Sequence, residues 1–375
     1  MAKLVFFGHD AHDPAIQRRI KAFGDAGAEV EAFTMRRGPA FEAPWRNVDL
    51  GETRDAAFAQ RIGALIAARP LLRPHSDTLR RADVFYARNL DMLALASWAK
   101  RMSGACAPLV YECLDVHRFL SREDPIGAGL RAMEATLLRE AALVVVSSPA
   151  FVREYFDKRH ARRARTLLVE NRLPWGFEYG ARPTGAPSER RRLRIGWFGN
   201  LRCERSLSLL LDLAARFPAE VELSLRGIPA RAAVADFEAR VSGRETVTFG
   251  GRYAWPQDLS EIYRDIDLVW AGDFHDAGAN SKWLLPNRLY EGGYYAVPAL
   301  APADSETGRW IEARGFGFTL PEPLEETLPA FVRGFDRAML AEPRARLIAA
   351  PESTFLQPKG ELAGVIETAL AGRRP

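Results

Sequence analysis

The sequence predicts an α/β protein with two doubly wound parallel sheets in succession. Three observations carry that expectation. Short β-branched or apolar runs alternate with longer amphipathic segments, as in repeated βαβ units. A polar stretch rich in Pro, Gly and Arg at residues 179–192 (YGARPTGAPSERRR) interrupts the periodicity. The alternation then restarts, and 375 residues are enough for two hydrophobic cores.

In the first half, strands are expected at residues 3–8, 29–34, 83–86, 108–113, 143–147 and 166–170, each a short apolar run bounded by polar residues. Residues 14–26 and 90–102 repeat their apolar groups at helical spacing, and Pro14 suits a helix start because its missing N–H costs nothing there. The first domain is expected to span 1–185. After the linker, strands are expected at 193–198, 221–226, 246–249, 268–271 and 298–301, giving a second domain at 193–350. Residues 351–358 are irregular, and 360–371 read as an amphipathic helix. The 351–375 tail is expected to pack back on the first domain.

Composition narrows the class. The chain is 47% hydrophobic and 27% charged, a globular balance. No apolar run approaches the ~20 residues of a membrane-spanning helix, and residues 4–7 are too few for a signal peptide. A cytoplasmic protein is expected. Cys106, Cys113 and Cys203 are odd in number and lack C-x-x-C spacing, so they are expected as reduced thiols with no metal site. The net charge is +4, with the positive excess in the first half. No basic run interleaved with stacking aromatics points to nucleic acid.

The segment 285–300 (LPNRLYEGGYYAVPAL) is the strongest site candidate. It places Asn287, Arg288 and Glu291 on a helix opened by Pro286, and Arg288 and Glu291 are neighbours one turn apart. The unpaired N–H groups of a first helical turn favour phosphate, an Arg there adds charge, and a carboxylate one turn on accepts two ribose hydroxyls. An ordinary surface Arg–Glu pair is the competing reading.

Two further loops leave strands of the same half. Gly199 and Asn200 follow the strand at 193–198, with Arg202 and Arg205 placed to face a diphosphate and Ser206 as the expected N-cap of the next helix. Neither G-x-G-x-x-G nor P-loop spacing occurs, which sets aside dinucleotide and kinase chemistry. In the loop 271–282, Asp273, Asn280, Ser281 and Lys282 are expected to meet sugar hydroxyls or phosphate, or else to hold the loop by Asx-turns. His275 and Asp276 lack the further spaced ligands a metal requires.

In the first half, Asp115 and His117 stand beyond the strand at 108–113, where catalytic groups gather; either suits a general base or the positioning of an acceptor hydroxyl. Capping or packing is the alternative for His117, and Glu112, inside the strand's alternation, reads as structural. Asp10, His12 and Asp13 after the first strand form a candidate acceptor set, although Asp13 before Pro14 also reads as an N-cap. Residues 54–81 interleave Phe58, Ile62, Leu65, Ile66, Leu71 and Leu72 with arginines, suiting either an anionic membrane surface or packing on the sheet.

Together these residues carry a resemblance. Strand-Gly-Asn-x-Arg-x-x-Arg, followed by Pro-Asn-Arg-Leu-Tyr-Glu-Gly-Gly, resembles the donor half of GT-B glycosyltransferases, family 4-like enzymes of bacterial exopolysaccharide assembly. Asp13-Pro14 and the run at 144–149 (VVVSSP) resemble first-domain segments, so the likeness covers nearly the whole chain. It implies two Rossmann-like domains facing a central cleft. It also implies that Glu291 binds the ribose, Arg288 is the neighbouring cation, and Arg202 and Arg205 bind the diphosphate. The family carries an earlier Glu eight positions before the ribose Glu; here Trp283 stands in that place, leaving inverting and retaining outcomes both open. The implied activity is transfer of a hexose-type sugar from a nucleoside-diphosphate sugar, uridine rather than guanosine, to a saccharide or lipid-diphosphate-linked saccharide. No cofactor or metal is implied. The alternatives are a sugar-nucleotide epimerase or phosphorylase on the same fold, or a non-catalytic nucleotide-sugar-binding protein.

Overall fold

The computed structural model describes residues 1–53, 58–116, 119–160, 165–184, 191–230, 233–276 and 280–372. Contacts divide the chain into two compact units. The first comprises Met1–Glu170, Pro174–Gly176 and Pro358–Pro375, and the second Asn171–Leu173 and Phe177–Gln357. The division thus falls ahead of the 179–192 stretch read as a linker. Tyr179 is buried, and its carbonyl accepts a 2.6 Å bond from the Tyr295 hydroxyl, which ties that stretch into the second unit.

The first unit holds strands β1 (Lys3–Gly8), β2 (Glu29–Arg36), β3 (Asn47–Glu52), β4 (Val84–Arg88), β5 (Leu109–Cys113), β6 (Ala141–Val146) and β7 (Thr166–Leu168). They form one parallel sheet in the order β3-β2-β1-β4-β5-β6-β7. β4 (VFYAR) and β5 (LVYEC) are buried on both faces and largely apolar, as strands of a covered parallel sheet are, with Arg88 and Glu112 as their buried charges. On one face Leu4, Phe6, Tyr86, Val110 and Val145 pack under the helix Pro14–Asp25 and the C-terminal helix Glu361–Ala371, which contributes Leu362, Val365, Ile366 and Ala369. The expected return of the tail to the first sheet is realised. On the other face Phe7 stacks between Phe33 and Phe85, with centroids 5.3 and 6.1 Å away.

The second unit holds β8 (Leu193–Leu201), β9 (Val221–Pro229), β10 (Val247–Phe249), β11 (Leu268–Trp270), β12 (Ala299–Pro302) and β13 (Gly317–Leu320). Their order is β10-β9-β8-β11-β12-β13, again all parallel. Alternation along β8 sends Ile195 and Trp197 into one core and Phe198 into the other. In both sheets the strand order reverses beside the first strand, between β1 and β4 and between β8 and β11. The crevice at the carboxyl ends of such a pair is where open α/β sheets bind ligands.

Candidate donor-binding site

The second unit's reversal point is built by the ends of β8, β11 and β12 and the helix Asn287–Tyr294. Strand β8 runs three residues further than expected, pairing with β9 through Gly199↔Gly227 to Leu201↔Pro229. Gly199 sits at φ +106° and Gly227 at φ +137°, and a Cβ on Gly227 would lie 1.8 Å from the Gly199 carbonyl oxygen. The two glycines let the strand ends close on one another. The next helix, Glu204–Arg216, is capped by Cys203, whose Sγ accepts from the Ser206 N–H at 3.4 Å. Ser206, expected as the cap, is buried instead; its hydroxyl accepts from Trp270 Nε1 at 3.1 Å and donates to the Gly272 carbonyl at 3.5 Å.

The helix Asn287–Tyr294 starts at Pro286 without a side-chain cap, leaving first-turn N–H groups unmatched by any side chain of the cap residue. Its Gly-Gly pair has a packing reason. A Cβ on Gly293 would meet Phe355 at 2.3 Å and one on Gly292 would meet Val269 at 2.8 Å, so only glycine lets the helix lie this close to β11. That approach buries Arg288 and Glu291. Arg288 donates to the Gly272 carbonyl at 2.9 Å, and its Nε has no hydrogen-bond partner among the described residues. Burial pulls the guanidinium down from its ordinary value, opposed by the charge of Asp273. A buried cation with one such local contact favours an anionic ligand. Glu291 accepts from Trp255 Nε1 at 3.2 Å and from the Tyr263 hydroxyl at 2.7 Å.

Asp273 gathers the remaining loop. Its Oδ1 accepts from the His275 N–H and the Ser281 hydroxyl, both at 2.9 Å, while Arg202 approaches its Oδ2 at 3.8 Å. Arg202, Asp273, Ser281 and Arg288 are therefore joined through the stretch Gly272–Asp273. Asn280 is buried in the same loop, residues 277–279 of which lie outside the described residues, and Asn287 is exposed at the first helical position. Two expected members turn elsewhere. Arg205 pairs with Glu322 at 2.7 Å and Glu325 at 3.1 Å over the Phe274 ring, because the stretch after β13 brings two carboxylates to its side of the helix. Lys282 pairs with Asp304 at 2.6 Å, at the surface. Trp255 and Tyr263 were absent from the sequence expectation. The signal for Trp255 was an aromatic in the Gly/Pro stretch that follows a strand; Tyr263 offered none beyond core periodicity.

In the first unit, Asp115 is exposed, and His117 lies outside the described residues. Asp10 is buried, with Oδ1 accepting from the N–H groups of His12 and Arg37 at 3.0 Å each, so it ties the turns after β1 and β2 together. Asp13 is the N-cap of its helix, accepting from the Ala15 N–H at 2.8 Å, and stands 3.6 Å from His9 Nε2. His12 Nε2 lies 2.9 Å from the Pro39 carbonyl, with its ring against Phe41. Glu112 is structural, 2.7 Å from Arg19 and fully enclosed. Among the described residues no group of three His, Cys, Asp or Glu is arranged to hold a metal ion, and no helix is long and apolar enough to cross a membrane.

No family model matches the chain. It is 39% identical over 330 residues to the succinoglycan biosynthesis protein ExoL of Rhizobium meliloti (strain 1021), covering 85% of this chain and 81% of that one. The chain belongs to the ExoL family. The crystal structure of Anabaena HepE in complex with UDP and glucose matches with a TM-score of 0.70 at 16% identity, over 99% of this chain and 100% of that one. Sucrose-phosphate synthase from Thermosynechococcus elongatus matches with a TM-score of 0.72 at 14% identity, over the whole of both chains. These likenesses show the fold, which is GT-B, as the sequence resemblance implied.

Proposed function

We propose that this member of the ExoL family is a GT-B glycosyltransferase of polysaccharide synthesis, acting on a nucleoside-diphosphate sugar held by its second unit. The observation that carries the reading is the helix Asn287–Tyr294, which buries a cation and a carboxylate one turn apart at the reversal point of a parallel sheet. Glu291 accepts the ribose hydroxyls, Arg288 and the first-turn N–H groups face the diphosphate, and Arg202 supports them. Asp273, Asn280 and Ser281 order the loop beside the transferred sugar. HepE was crystallised with UDP and glucose, which favours a uridine nucleotide and a hexose here.

In transfer, the leaving diphosphate gains charge as the anomeric bond lengthens, so a preorganised cation and helix terminus stabilise that state more than the ground state. The acceptor is a saccharide or lipid-linked saccharide, met by the first unit at the cytoplasmic face of an anionic membrane. The chemistry is proposed to need no metal or cofactor.

Calorimetric titration with UDP, GDP and their glucose conjugates tests the donor site. Micromolar binding of one nucleotide, about −8 kcal/mol, is expected. Its loss in Glu291→Ala by about 1.5–3 kcal/mol is the expected effect of removing a charged hydrogen-bond partner. Absence of binding by the native chain would overturn the reading.

A further inference from the structure

We infer that Trp255 and Tyr263 are positioning residues for the ribose-binding carboxylate: both donate to Glu291 and hold it in the orientation that accepts the nucleotide's sugar hydroxyls. The inference rests on the donor-site reading and assigns it two residues from a different part of the chain. Each oxygen of Glu291 meets its own donor, Trp255 Nε1–H to Oε1 at 3.2 Å and Tyr263 O–H to Oε2 at 2.7 Å. A glutamate carboxylate can otherwise rotate about its terminal bond, and ordering it on ligand binding costs free energy. Two donors on its two oxygens fix the plane of the group before the ligand arrives.

The donors are themselves fixed. Trp255 is packed edge-on by Phe177 and Tyr179, with centroids 5.0 and 6.0 Å away. Tyr263 is fully buried, edge-on to Phe198 at 5.1 Å and stacked on Tyr295 at 5.7 Å. Each has two side-chain torsions, so packing leaves little freedom to lose. Burial, reinforced by the charge of Glu291, pushes the Tyr263 phenol well above its ordinary value, so it remains an O–H donor. Both donors are also neutral. A Lys or Arg in their place would hold the carboxylate equally well but would neutralise it and draw the diphosphate toward the ribose. Neutral donors orient Glu291 and leave Arg288 and Arg202 as the cations of the site. The class of ligand that gains is a ribonucleoside diphosphate; a 2′-deoxy analogue forfeits part of the gain.

The test compares the affinities of UDP and 2′-deoxy-UDP, with GDP and 2′-deoxy-GDP in parallel, for the native chain and for Glu291→Ala, Trp255→Phe and Tyr263→Phe. The ratio of ribose to deoxyribose affinity is the readout, because a merely structural defect lowers both affinities together and leaves their ratio unchanged. The native chain is expected to prefer the ribose form, Glu291→Ala to abolish the preference, and each Phe variant to lower it roughly fivefold to tenfold while still binding nucleotide. Should Trp255→Phe fail to fold, Tyr263→Phe, which removes one oxygen, decides the matter alone. An undiminished ribose preference in the folded Phe variants overturns the inference and leaves the donor site standing. Nucleotide binding by the native chain without ribose preference overturns it too. Failure of the native chain to bind any of the four nucleotides overturns the donor-site reading and this inference together.

Discussion

Glu112 shows what one residue inside a strand can be made to do. Its carboxylate is 2.7 Å from Arg19 and 3.5 Å from Arg88, with all three side chains enclosed. Burial acts to raise the carboxyl, and the charges of Arg19 and Arg88 outweigh it, holding Glu112 below the usual carboxylate range. Removing one partner of such a group leaves uncompensated buried charge, so Glu112→Ala is expected to lose about 3–5 kcal/mol in denaturant unfolding. Because the folded carboxyl titrates below the unfolded one, its contribution is fully present above the unfolded value of about 4.3 and fades as pH falls through the folded value. Unfolding free energies measured between neutral pH and pH 3 should therefore fall more steeply on the acid side for the native chain than for Glu112→Gln. The placement of Glu291 and Arg288 one turn apart on a helix, on which their proposed ribose and phosphate roles rest, was legible before the structure, because Pro286 and the apolar spacing mark the helix start. Arg205 was not, since the carboxylates that hold it, Glu322 and Glu325, lie more than a hundred residues away and carry no local sign of the pairing.

Among elements, strands buried on both faces were the most legible, and the strands that escaped were two of the four edge strands. β3 and β13 escaped the sequence reading: the first alternates polar residues (NVDLGE), the second is four residues long and opens on glycine, and neither offers a continuous apolar run. The overrun of β8 past Phe198 escaped for a related reason, since Gly199 reads as a turn until its pairing with Gly227 is known. That pairing is testable. Gly227→Ala adds a clash with the Gly199 carbonyl to the strain of positive φ, and is expected to cost about 2–5 kcal/mol. Gly199→Ala, with nothing within 4 Å of its added Cβ, is expected to cost only about 1–2 kcal/mol. Thermal unfolding of both variants checks the order. The helix Phe58–Leu72 turns Ile62, Ile66 and Leu71 outward, 44%, 55% and 45% exposed, beside the exposed Arg69 and Arg73. Of the two readings of 54–81, the proposed membrane contact is favoured by that outward face, while Ala68, Leu72 and Leu79 pack inward; residues 54–57 lie outside the described residues. Cosedimentation with vesicles containing phosphatidylglycerol should fall severalfold for Ile66→Glu and weaken with salt, while vesicles of phosphatidylcholine alone should bind little.

Across the whole molecule, the repeated strand order made the architecture legible, because two successive runs of βαβ alternation leave few topologies. The place of division was not. A Pro- and Arg-rich run has the composition of a linker, yet Tyr179 is buried and Arg182 donates to the Leu347 and Ala350 carbonyls at 2.8 and 3.1 Å. Composition reports local flexibility and is blind to such distant acceptors. The C-terminal helix is the clearest whole-chain feature. Leu362→Ala is expected to destabilise the first unit by about 2–5 kcal/mol, read as an earlier transition in thermal unfolding, with nucleotide affinity of the second unit unchanged.

That helix also sets an order of assembly. The first sheet is synthesised early, but Leu362, Val365, Ile366 and Ala369, which cover Leu4, Phe6 and Tyr86, emerge from the ribosome only after the whole second unit. At about 5–20 residues per second, the nascent first unit waits roughly 10–40 s with part of its apolar face open to solvent. The second unit lacks no comparable late segment and can mature first, so the half of the chain made first is the half completed last.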